Sequence, residues 1–74
     1  MSDFYEKAEF VGHELKAVVQ AIDKDVVDLE YERLFSGEEY ITIVYSTSAG
    51  VYKKKVNVTA DSLRAITYDV IRRV

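Results

Sequence analysis

Tyr40-Ile41-Thr42-Ile43-Val44-Tyr45-Ser46, followed at once by Thr47-Ser48-Ala49-Gly50, decides the fold. Period-two alternation puts Ile41, Ile43 and Tyr45 on one side and Tyr40, Thr42 and Val44 on the other. β-branched and aromatic residues suit a pleated, half-buried surface, so the segment predicts a strand. Ser36-Gly37-Glu38-Glu39 before it and Thr47–Gly50 after it read as turns.

Working outward, a strand is expected on either side. From Val26 to about Leu34, Val27, Leu29 and Tyr31 share one face and Asp28, Glu30 and Glu32 the other. From Val51 to Val58, Tyr52, Lys54, Val56 and Val58 lie opposite Val51, Lys53, Lys55 and Asn57. Tyr52 and Lys54 thus share parity with core positions, a conflict that a bulge or a lysine snorkelling at the sheet edge resolves. Short connections favour an antiparallel meander with the Tyr40–Ser46 strand in the middle.

Further out the period lengthens to that of a helix. Phe4, Ala8, Val11, Leu15, Val18 and Ile22 recur at three- and four-residue steps, predicting a first helix over about Asp3 to Asp23. Ser2 or Asp3 is its expected cap, with Glu6 at capping-box spacing. Phe10, Ala17 and Ala21 widen the apolar stripe; Glu6, Glu9, His13, Lys16 and Gln20 oppose it. Gly12 costs about 1 kcal/mol in a helix relative to alanine, unless it admits a second backbone. A second helix is expected after Val58, capped by Thr59 or Asp61, with Leu63, Ile66, Val70 and Val74 inward. Arg72 and Arg73 sit in its last turn, where cations are favoured. The fold class expected is α+β: a two-layer α-β-β-β-α sandwich, a three-stranded antiparallel meander sheet with both helices packed on one face. One such domain fills residues 1–74.

Composition narrows the function classes. The 74 residues include no cysteine and no proline, one histidine, and 13 acidic against 10 basic side chains, for a net charge of −3. No disulfide or thiolate metal site is possible, and His13 with dispersed carboxylates makes no metal-ligand cluster. No apolar run approaches the roughly 20 residues of a membrane span. The N-terminus lacks the basic-then-apolar order of a signal peptide, so a cytoplasmic location is expected and the sequon Asn57-Val58-Thr59 is read as accidental. Acidic balance weighs against binding nucleic acid through the overall field.

No catalytic constellation is found. His13 has no nucleophile paired with it, and Gly12, Gly37 and Gly50 form no phosphate loop. Asp28, Glu30 and Glu32 stand about 6.5–7 Å apart along a strand, too far to share one cation without loop ligands. No enzyme activity, cofactor or small-molecule substrate is expected.

Three surfaces invite a partner. The first is the uncovered sheet face, with Asp28, Glu30 and Glu32 on one strand, Tyr40, Thr42 and Val44 in the middle, and Val51, Lys53 and Lys55 on the third. Acid on one edge and lysine on the other suit a face-to-face homodimer about a two-fold axis parallel to the strands. Edge-to-edge pairing would set like charges against each other. Another protein is the alternative partner at this face. The second surface is a nucleic-acid-binding alternative: the Lys53-Lys54-Lys55 run with Arg64, Tyr68 and Arg72, a cation–aromatic–cation ladder at i, i+4 and i+8. The third is acidic: Asp28, Glu30, Glu32, Glu38 and Glu39 together.

In element order and length the chain resembles the double-stranded-RNA-binding domain. The family's lysine-rich start of the second helix corresponds here to Thr59-Ala60-Asp61-Ser62-Leu63-Arg64, which is acidic and polar. Ser36-Gly37-Glu38-Glu39 replaces its glycine-proline and histidine-bearing loop. The resemblance implies the topology and not the RNA contacts. Small acidic, cysteine-free domains also resemble accessory proteins of phages and mobile elements, some of which present carboxylates where phosphates would bind. That likeness implies a nucleic-acid-mimicking role for the acidic patch.

Overall fold

The computed structural model describes residues 3–74. Helix α1 (Asp3–Glu9), a π-helical segment (Phe10–Leu15) and α2 (Lys16–Ile22) run on as one N-terminal rod. Strands β1 (Val26–Arg33), β2 (Glu39–Thr47) and β3 (Gly50–Asn57) follow, and α3 (Leu63–Arg73) closes the chain. The sheet is an antiparallel meander in the order β1-β2-β3, with β2 in the middle. Rod and α3 cover one face, as the alternation of β2 requires. Val11, Leu15 and Val19 from the rod, Leu29, Ile41, Ile43, Tyr45 and Val56 from the sheet, and Ile66 and Val70 from α3 form one buried cluster.

The rod departs from the expected stripe. Val11 and Leu15 are buried as predicted, but Val19 replaces Val18, which is 47% exposed, and Ile22, Ala17 and Ala21 also face solvent. The π-segment is the cause. In an α-helix each four-residue step overshoots a full turn by about 40°, so Lys7, Val11, Leu15 and Val19 would drift by roughly 120°. The wider π turn, in which the Lys16 N–H reaches the Val11 carbonyl five residues back, cancels part of that drift. A strict four-residue series thereby stays on one face. Gly12, inside the π-segment, has open space where a Cβ would stand, so it serves no close approach. Ser2 lies outside the described residues, and Asp3 is drawn into ion pairs with Lys7 (3.4 Å) and Arg33 (2.8 Å).

Two further departures lie in the sheet. The β1–β2 register slips between Val26 and Asp28, a bulge that turns Val26 inward and leaves Val27 45% exposed. The β2–β3 register runs without a slip, so it is snorkelling that reconciles Lys54. Its amine crosses the Tyr45 ring at 5.3 Å and donates to the Arg73 carbonyl at 3.0 Å, closing the C-terminus of α3. Tyr52 stacks on Tyr45 with centroids 4.6 Å apart. At the other end of α3, Ser62 is the cap, its side chain accepting from the Ala65 N–H at 3.2 Å, in place of Thr59 or Asp61.

Candidate functional site

Register builds the open sheet face. Three rungs cross it: Asp28–Val44–Lys53, Glu30–Thr42–Lys55 and Glu32–Tyr40–Asn57. Each of the first two runs from a carboxylate through a half-buried middle residue to an ammonium. The bulge leaves Val27 unpaired and exposed next to Asp28, and Val51, 67% exposed, lies diagonally across from Val44. A bulge changes which residues share a face, so Val27 leaves the inner side that simple alternation gives it.

Part of this charge is engaged within the chain. Lys55 lies 3.3 Å from Glu32 and 5.2 Å over the Tyr40 ring, and the Tyr40 hydroxyl donates to Glu38. Lys16 reaches round the sheet edge to Asp28 at 3.4 Å. Among the described residues no ion pair engages Glu30 or Lys53. Exposed pairs of this kind contribute about 0–1 kcal/mol and exchange partners readily.

The nucleic-acid candidates are not brought together in the same way. Lys53 and Lys55 face outward, whereas Lys54 lies on the helix side and is bonded to α3. Arg64 stands 5.8 Å over the Tyr68 ring, and Arg72 is 3.0 Å from Asp69. The ladder is exposed, but two of its members are already satisfied by their neighbours.

A second constellation escaped sequence reading. Glu39, expected in the turn and in the acidic patch, is the first residue of β2 and only 5% exposed. One carboxylate oxygen accepts from Lys7 (2.8 Å), itself 6% exposed, from the Tyr31 hydroxyl, and from Arg33 (3.4 Å). The other accepts from the Ala60 N–H at 2.9 Å. Ala60 has φ 61°, in the left-handed region an L-residue avoids, and this bond helps hold it there. Burial pushes the Glu39 carboxyl up, but the Lys7 and Tyr31 hydrogen bonds, the Ala60 N–H and the charge of Lys7 bring it down to about 2. Two signals pointed here: counting back from Ile41 puts Glu39 inward, and Lys7 continues the series Val11, Leu15, Val19. With Glu39 inside, the acidic surface reduces to Asp28, Glu30 and Glu32 with Glu38.

Asp61, just after Ala60, is pushed up to about 6, by burial first and then by the hydrogen bond and charge of Asp69. Its Oδ2 is buried and has no partner while both carboxylates are ionised; a proton on one of the pair is what lets Asp61 and Asp69 hydrogen-bond. His13 is exposed, 3.7 Å from Glu9. Among the described residues, no group of His, Asp or Glu side chains is arranged to hold a metal ion, and no helix is long and apolar enough to cross a membrane.

Comparison with protein families, with curated proteins and with solved structures finds no match to this chain.

Proposed function

We propose that this chain is a non-catalytic interaction protein that pairs with a second copy of itself through the open sheet face. The register carries the reading. A two-fold axis parallel to the strands, over β2, keeps each rung at its own height and exchanges β1 with β3. Asp28 then lies over the partner's Lys53 and Glu30 over the partner's Lys55, each contact made twice by symmetry. Thr42, Val44 and Tyr40 meet their own counterparts at the centre. An axis across the strands would instead set β1 on β1, acid upon acid, and is disfavoured by charge.

The size of the face sets the strength. Three strands about 4.8 Å apart and eight residues long cover roughly 400 Å². That is well under the ~800 Å² per partner of a standard interface, so a dissociation constant in the micromolar range or weaker is expected.

The test is a charge swap read by light scattering from about 10 μM to 1 mM protein, with thermal melts to confirm folding. Lys53→Glu/Lys55→Glu makes all four outer positions acidic, and Asp28→Lys/Glu30→Lys makes them all basic. Neither variant is expected to pair with itself, while an equimolar mixture of the two restores the dimer mass. A monomeric wild-type chain at 1 mM, or a mixture that stays monomeric beside a dimeric wild type, overturns the arrangement.

A further inference from the structure

On the helix layer, opposite the open sheet face, a groove of about 470 Å³ runs between the rod and the start of α3. Its lining is Tyr5, Glu6, Glu9, Phe10, Glu14 and Leu63. Tyr5, Phe10 and Leu63 supply apolar surface, with Tyr5 70% exposed and the other two half-buried. The remaining three lining residues are carboxylates. Glu6, Phe10 and Glu14 follow at i, i+4 and i+8, an acid–aromatic–acid ladder about 12 Å long. Among the described residues Glu6 and Glu14 have no ion pair, and Glu9 faces only the exposed His13.

The π-segment bears on the same place. Phe10 and Glu14 both lie within it, so the local widening that realigns the core stripe also sets two residues of the groove wall. Single-turn π bulges inside α-helices occur preferentially at functional sites.

We infer that this groove docks a basic amphipathic helix of another protein, one presenting cation, apolar and cation side chains at i, i+4 and i+8. Its apolar residue sits between Tyr5, Phe10 and Leu63 while its cations meet Glu6 and Glu14. An amphipathic helix laid into an apolar groove is a recurring mode of recognition, and the acidic rim supplies steering and register. An acidic or neutral helix would leave the rim carboxylates unpaired. This chain's own ladder, Arg64–Tyr68–Arg72, has the matching spacing, but its cations are engaged with Tyr68 and Asp69, and α3 already forms one wall through Leu63.

The probe is a fluorescein-labelled synthetic helix of about 18 residues, long enough to be helical, with leucines on one face and lysines flanking them. One control peptide replaces the leucines with serine at unchanged charge. Fluorescence anisotropy is expected to show saturable binding that weakens with salt and is at least about tenfold weaker for the serine control. Glu6→Lys/Glu14→Lys and, separately, Tyr5→Ala are each expected to weaken it, whereas Asp28→Lys/Glu30→Lys on the open sheet face leaves it unchanged. Equal binding of the serine control, or a loss caused by the sheet-face variant, overturns the site. So does a fall in the self-association mass of Glu6→Lys/Glu14→Lys, which would make a second copy the occupant.

Discussion

The two faces of β2 carry charge under opposite rules. On the inner face, Glu39 is enclosed by Lys7, Tyr31, Arg33 and the Ala60 N–H, all from outside its own strand. On the outer face, Glu30, Glu32, Lys53 and Lys55 stand exposed on the flanking strands. A buried carboxylate must be fully satisfied or it destabilises the fold, so its partners are fixed. An exposed one is hydrated, costs little, and stays available to another molecule. The difference separates charge that holds the chain together from charge that a partner can use.

The strongest way to break that contrast is Glu39→Ala. Removing one member of a buried ion pair costs about 3–5 kcal/mol, because the buried Lys7 keeps only the exposed Asp3 as a counter-charge and the Ala60 N–H loses its acceptor. A 74-residue domain has about 4–11 kcal/mol of total stability. Denaturant unfolding is therefore expected to show Glu39→Ala losing about a quarter or more of that stability, with Glu30→Ala within about 0.5 kcal/mol of wild type. Equal losses at the two positions would erase the distinction between the faces.

Local pattern made the sheet legible, and it failed where a period changed or a distant partner decided. Ile41, Ile43 and Tyr45 alternate without interruption, so β2, its place in the middle and the two flanking strands were readable. The four-residue series Val11, Leu15, Val19 was not, because a reading at constant α-helical period prefers Val18. Val27 was lost for the same reason: one inserted residue reverses parity, and nothing in Val26-Val27 announces it. Glu38 and Glu39 are adjacent and identical in type. Parity with Ile41 turns Glu39 rather than Glu38 inward, but what makes a buried carboxylate tolerable there is Lys7, thirty-two positions away in sequence, and Ala60, twenty-one away. The open-face residues were legible because their partners are the next strands in the meander.

A pH series sharpens the comparison within the buried layer. Glu39 has a folded pKa near 2, below its ordinary 4.5, so the unfolded chain binds more protons between those values. Its stabilisation is present above about pH 4.5 and is lost as pH falls towards 2. Asp61 has the opposite sign. Raised from 3.8 to about 6, it binds its proton more tightly in the folded chain, so stability declines as pH rises between those values. Melting temperatures from pH 2 to 8 are expected to pass through a maximum near pH 4. Asp61→Asn is expected to flatten the limb from pH 4 to 6 and leave the acid limb unchanged. A monotonic rise to pH 7 in the wild-type chain would contradict the burial of Asp61 beside Asp69.

The smallest predicted effects compare two tyrosines on β2 that point to opposite faces. Tyr45 is 1% exposed, and its hydroxyl has no hydrogen-bond partner. Burial pushes its pKa up, since a phenolate there would be poorly solvated. Tyr40 is half-buried on the outer face, and its hydroxyl donates to Glu38. Removing an unsatisfied buried hydroxyl recovers its desolvation cost, whereas removing an exposed hydrogen bond costs little because water replaces it. Tyr45→Phe is expected to stabilise the chain by about 1 kcal/mol, raising the melting temperature by about 4–8 °C. Tyr40→Phe is expected to change stability by about 0.5 kcal/mol or less. Because the Tyr45 ring keeps its stack on Tyr52 and its contact with Lys54, the gain isolates the hydroxyl. Destabilisation by Tyr45→Phe would mean that the hydroxyl is satisfied, placing a polar group or a bound water beside it in the buried layer.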